Sequence, residues 1–316
     1  MERRQLLKFL LAGGLSAGFS APLPAQQGQP RPNGFPQPPS TPGSSGVQPA
    51  GTAQLQPEAQ PVVVDPQELE RVLVDWEKKT ARITKLRGEH ERYEYDSAFE
   101  VEKRAVGSFW FESPDKGRID FNVDHQPTIP NPPENPRKIG KSGSPFRIVA
   151  SEPAIWSCDG AMILSVNVNG KTYDKLDIPI HQRGENIVDG PLPFLFGMKA
   201  EKVKSRYRMT LGDKHNLPGR TGRTEYHVVA SPLKQEDARE WKRAEVLLDA
   251  EFCLPTAIRL INPAETSETV YVFDIRNMKA NEPKLHPSWL ANPFRPSLGG
   301  YKLLQSATKE IETRQR

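Results

Sequence analysis

The stretch Ala105–Val123, AVGSFWFESPDKGRIDFNV, decides how the rest of the chain is read. In its second half Ile119, Phe121 and Val123 alternate with Arg118, Asp120 and Asn122, so an extended segment has one apolar and one polar face. The first half, AVGSFWFESP, reads as another strand. Two successive half-buried strands need an apolar layer beneath them, and the flanking sequence supplies many more of the same kind.

Upstream lies YEYDSAFEV, and downstream AMILSVNVNG and TYDKLDIP. A segment follows in which Val203, Ser205, Tyr207, Met209 and Leu211 alternate with Lys204, Arg206, Arg208 and Thr210. TEYHVVASP, RAEVLLDAEF, LPTAIRLINP and ETVYVFDIRNMK complete the run, joined by short turn-like segments. Strands so joined form an antiparallel meander with one face on a core and one in water. A single sheet of this length must curl or close. Before it, DPQELERVLVDWEKKTARITKL places Leu69, Val72, Leu73, Trp76 and Ile83 at helical spacing, with Asp65 as cap ahead of Pro66. The expected fold is mainly β (α+β): a curved antiparallel sheet whose concave face is covered by this helix and by one further apolar segment. That segment is GPLPFLFGM, Gly190–Met198, where Phe194, Leu195, Phe196 and Met198 crowd together outside any strand. It reads equally as a lid over a cavity and as a core-filling turn.

The N-terminus carries Arg3, Arg4 and Lys8, an apolar run from about Phe9 to Leu23 and the small residue Ala25, which together form an export signal over 1–25. Its arginine pair suits twin-arginine export as well as the general route. The run is too short and glycine-rich for a membrane span, which takes roughly 20 apolar residues, and no cysteine follows it to take a lipid. Residues 26–64, rich in Gln, Pro, Gly and Ser, bury too little apolar surface to offset their ordering entropy and read as a linker. The folded domain is expected over 65–304, with a proline-rich insertion at 124–150 and a polar tail at 305–316.

The formal net charge of +4 falls to +2 without Arg3, Arg4, Lys8 and Glu2 of the signal, a balance that calls for no nucleic acid. Cys158 and Cys253 allow either one disulfide in an oxidising compartment or two buried thiols. The six histidines, His90, His125, His181, His215, His227 and His286, have no metal-ligand spacing and read as surface or loop residues. Asp249 and Glu251 read as solvated carboxylates. The pattern G-x-S-x-G occurs only as Gly14–Gly18, inside the export signal, without the strand–turn–helix setting of a nucleophile elbow. No phosphate-binding or dinucleotide fingerprint is present. Asp159-Gly160 is a hairpin turn dipeptide.

The order of these segments resembles the LolA type of periplasmic lipoprotein carrier. The opening helix, GSFWFESPDKGRIDF, AIWSCDGAMILSV, PLPFLFGM, and the closing LPTAIRLINP and VYVFDIRNMKAN follow in the family's sequence. More closely, the chain resembles a group of exported planctomycete proteins related to that fold. The resemblance implies an incomplete barrel with a hydrophobic cavity for acyl chains, in which Trp76, Phe109, Phe111, Ile119 and Phe121 face the cavity and Phe194, Leu195 and Phe196 form the lid. Where the carriers have an arginine before the proline of the strand motif, Ser113 precedes Pro114 here, which argues against lipoprotein shuttling. The expected function is non-enzymatic binding of a lipid or other apolar ligand in the periplasm or cell envelope. The other reading is an envelope interaction module whose core is filled by its own side chains and whose partner is another envelope protein. Neither reading calls for a cofactor, a metal or an integral membrane span.

Overall fold

The computed structural model describes residues 66–124, 137–178, 180, 183–184, 200–212, 224–283 and 292–304. The residues read as export signal and linker, the expected lid residues Phe194–Phe196, the middle of the expected insertion and the C-terminal tail lie outside the described residues. Among those described, no helix is long and apolar enough to cross a membrane.

The architecture is mainly β, as expected: one large curved sheet, left open. It is built from β1 (Lys85–Asp96), β2 (Val101–Glu112), β3 (Lys116–Val123), β4 (Arg147–Ala150), β5 (Ala154–Asp159), β6 (Met162–Asn167), β7 (Thr172–Asp177), β8 (Tyr207–Leu211), β9 (Glu225–Pro232), β10 (Arg243–Asp249), β11 (Pro255–Ile261), β12 (Ser267–Phe273), β13 (Lys279–Ala280) and β14 (Lys302–Leu303). The helices are α1 (Pro66–Thr80), α2 (Ala200–Arg206) and the single turn α3 (Gln235–Ala238).

Strand order is β14-β7-β6-β5-β3-β2-β1-β12-β11-β10-β9-β8. Two meanders are therefore zipped together along one seam, where β1 pairs antiparallel with β12 from His90–Phe273 to Asp96–Ser267. Two short pairs are parallel, β2 with β4 and β7 with β14. The connection from β7 to β8 joins opposite edges of the sheet. Ile178 at its start and Ala200 and Val203 at its end belong to the same buried cluster.

Local sequence accounts for the departures from expectation. YEYDSAFEV is not one strand: Asp96 Oδ1 accepts the amides of Ala98 and Phe99, so the chain reverses at Ser97–Glu100. The alternation from Val203 is strand only from Tyr207 onward, because AEKVKSR is rich in helix formers. Val203 and Tyr207 are also a helical i, i+4 pair, so both periods fit so short a piece. Part of the insertion, from Arg137 onward, lies among the described residues. Phe146 packs with Tyr95 and Val270 on the outer face, and β4 extends β2 beyond the end of β3.

Cys158 and Cys253 are both buried free thiols, which decides against the disulfide. Burial pushes the Cys158 thiol up to about 12. Asp249 is buried rather than solvated, and its Oδ1 caps the amides of Glu251 and Phe252 in the turn from β10 to β11.

Candidate functional site: the inner face of the sheet

Strand alternation fixes which side chains share a face, and the register aligns them across strands. On β1 the inner residues are Leu86, Gly88, His90, Arg92 and Glu94. Opposite them on β2 stand Phe111, Phe109, Gly107, Ala105 and Lys103. Ile119 lies beside Phe109 and is followed by Trp156 on β5. In the other direction the row continues through Phe273 and Tyr271 to Ile258, Val246 and Val228.

Most of these residues belong to one buried cluster, which α1 joins through Val72, Leu73 and Trp76 and α2 through Ala200 and Val203. Four of the residues expected to line a cavity, Trp76, Phe109, Ile119 and Phe121, are 4, 1, 4 and 7 % exposed, and Phe111 is buried with them. The structure thus gathers all five into one buried cluster, four on the inner face of the sheet and Trp76 on α1.

One end of this face is polar, and the sequence pattern missed it. His90, expected at the surface, is 3 % exposed. The β2–β3 ladder is paired at Val106–Asn122 and again at Phe109–Ile119 but not between. In the gap His90 Nε2 lies 3.0 Å from the Asp120 carbonyl. A carbonyl only accepts, so Nε2 carries the proton and donates. Gly107 makes this possible: a Cβ there would stand 1.7 Å from the Asp120 oxygen and 3.1 Å from His90 Nε2. Burial holds the imidazole pKa down to about 4, and nearby Arg92 also lowers it. The ring meets Phe121 edge-on at 5.4 Å.

Beside His90, Arg92 is also 3 % exposed. Its guanidinium lies 3.9 Å from the centre of the Phe121 ring. Nη2 donates to Ser151 Oγ at 3.2 Å, and the Tyr271 hydroxyl is a second partner. Glu94 Oε2 approaches only to 3.6 Å, and Nε has no hydrogen-bond partner. The clue missed in the sequence is RGEHERYEYD: both faces of β1 carry polar residues, so alternation alone does not mark which of them the core takes in.

The other buried histidine sits on the outer face. His227 Nε2 is 3.5 Å from Glu245 Oε2, and Glu245 also pairs with Arg243 and Arg259. Burial raises the Glu245 carboxyl, but His227, Arg259 and Arg243 together outweigh it and hold the pKa low. A cavity of about 340 Å³ also opens between Glu89, Glu91, Val106, Ser108, Val272 and Asp274, and it reaches His90 and Gly107. Glu91 there accepts from the Tyr93 hydroxyl, and Asp274 caps the turn at Arg276 and Asn277. Among the described residues no group of three or more His, Cys, Asp or Glu has the geometry of a metal site.

No protein-family model matches the sequence, and no curated protein does. Solved structures show distant similarity. A putative outer membrane lipoprotein-sorting protein domain from Vibrio parahaemolyticus is 8% identical, with a TM-score of 0.35 over 73% of this chain and 99% of its own. A LolA superfamily protein from Nitrosomonas europaea is 6% identical, with a TM-score of 0.30 over 70% of this chain and 99% of its own. The MucA/MucB complex of Pseudomonas aeruginosa gives 9% identity and a TM-score of 0.37, over 76% of this chain and 64% of the matched one. Superpositions this loose carry no argument about function, so the candidate site stands on its own geometry: an apolar inner face that ends in a buried arginine.

Proposed function

We propose that this chain is an exported, non-enzymatic protein of the periplasm or cell envelope that holds a lipid or other apolar ligand against the inner face of its sheet. The observation that carries the reading is the composition of that face. Leu86, Phe109, Phe111, Ile119, Phe121 and Trp156 form one aromatic and aliphatic surface across four adjacent strands. An acyl chain gains roughly 0.8 kcal/mol per buried CH₂ on such a surface. The non-enzymatic part rests on what the buried titratable groups do: His90 bridges a gap in the ladder, Asp249 caps a turn, and Asp115 accepts the Gly184 amide.

A second reading has an observation of its own. The inner-face side chains pack so closely on one another and on α1 that Phe109 is 1 % exposed, as in a self-filled core. The chain is then an interaction module whose partner is another envelope protein. Native mass spectrometry of the protein isolated from its own envelope separates the two. Co-purified lipid supports the first reading, and a lipid-free chain bound to a protein supports the second. In vitro, a neutral apolar fluorophore binds at one-to-one stoichiometry under the first reading, and Phe111→Glu, at the apolar end of the face opposite Leu86, abolishes that binding while circular dichroism stays native. A folded wild-type protein that takes up no fluorophore overturns it.

A further inference from the structure

We infer that the ligand is an amphiphile, a long acyl or alkyl chain ending in one carboxylate or phosphate, and that Arg92 receives the anionic head. The inference rests on the apolar-ligand reading above and adds the chemistry and direction of the ligand.

Along β1 and β2 the inner face changes character from end to end. It begins with Leu86 opposite Phe111 and ends with Glu94 opposite Lys103. Arg92 stands at the boundary. A guanidinium is a planar fork of donors matched to the two oxygens of a carboxylate or phosphate. Taking such a charge out of water is costly unless an anion completes its shell. Arg92 is out of water, yet its hydrogen-bond partners are two neutral hydroxyls, those of Ser151 and Tyr271, and its Nε–H has none. Glu94 forms an ion pair with Nη2 at 3.6 Å without a hydrogen bond, and its side chain is itself part-exposed. The same guanidinium covers the Phe121 ring, so a head bound to it has its chain already over the apolar floor.

The charges around this end agree. β4 pairs in parallel with β2, which turns Arg147 to the same face as Val101 and sets it near Lys103. Against these cations stand Glu94 and Asp96, and Asp96 is committed to the amides of the hairpin turn. His90, held neutral by burial, adds no charge.

The test uses the mature full-length chain loaded with a neutral fluorophore such as N-phenyl-1-naphthylamine. The fluorophore is displaced by palmitate, hexadecyl phosphate or 1-hexadecanol, each below its micelle concentration. The expected result is displacement by both anions at concentrations at least about tenfold lower than by the alcohol. Arg92→Gln brings acid and alcohol to displacement at equal concentrations, and Arg92→Lys keeps only part of the preference. Inorganic phosphate and acetate do not compete. Equal displacement by acid and alcohol in the wild type overturns the inference while the apolar-ligand reading stands, and it needs no variant to fold. Competition by inorganic phosphate also overturns it, by showing an anion site independent of the chain. A wild type that binds no fluorophore overturns both.

Discussion

His90 and Gly107 show how much one pair of residues decides on the inner face. The β2–β3 ladder is interrupted there, and the Asp120 carbonyl accepts from the imidazole. Only a glycine at 107 lets that oxygen and the imidazole meet. Gly107→Ala drives a methyl group to 1.7 Å from a backbone atom that has no freedom to retreat. A loss on the order of 3 kcal/mol is expected, the upper range for overpacking, read as a drop in urea midpoint at unchanged slope. The imidazole carries a pH signature. Its folded pKa is near 4 against an ordinary 6.5, so between those values the unfolded chain binds a proton that the folded chain refuses. Stability is therefore full above about pH 6.5 and falls as the pH drops toward 4, by on the order of 3 kcal/mol for this residue. His90→Gln keeps a donor for Asp120 and lacks the titration. Its stability is expected to be flatter over that range than the wild type's, and parallel curves for the two proteins would refute the assignment.

At the scale of elements, α1 and the described part of the insertion carry the clearest expectations. The α1 face of Val72, Leu73 and Trp76 is buried in the main cluster, and Thr80 Oγ1 closes the last turn onto the Trp76 carbonyl. Trp76→Ala removes the largest side chain of that face and is expected to cost about 3–5 kcal/mol. An unchanged melting temperature would mean that the helix does not hold the core. The insertion is pinned through Glu100. Its Oε1 accepts the Lys141 amide and its Oε2 the Ser142 hydroxyl, and these contacts hold its carboxyl below the usual range, with Ser142 first among the causes. Glu100→Ala is expected to speed hydrogen exchange at Lys141 and Ser142 and to leave β1 and β2 protected. These two elements differ in how well the sequence announces them. The α1 stripe is legible because a helix with one buried face repeats at its own period. The α2–β8 junction is not, since over Val203–Leu211 the helical and strand periods select overlapping residues.

At the scale of the molecule, the seam between β1 and β12 makes one cooperative body out of two meanders. The main cluster draws Trp156 from one meander and Trp241 from the other. Neither half retains a closed core if the seam opens. The two halves are therefore expected to unfold together: urea transitions followed by fluorescence in Trp156→Phe and Trp241→Phe variants should differ from one another by no more than the two substitutions' own effects on stability. Two resolved transitions within one variant would show independent halves. By itself the sequence determined the class of the fold, the apolar identity of the inner face and the places of most strands, because alternation and helical stripes are local consequences of burying one face. Phe109, Phe111, Ile119, Phe121 and Trp76 were legible for that reason. Only the tertiary structure decided that β1 pairs with the last long strand, that Asp249 and two of the histidines are buried, and that Arg92 lies over Phe121. Each of these depends on which distant strand supplies the neighbour, and a polar residue taken into a core is recognisable only by the groups that surround it there.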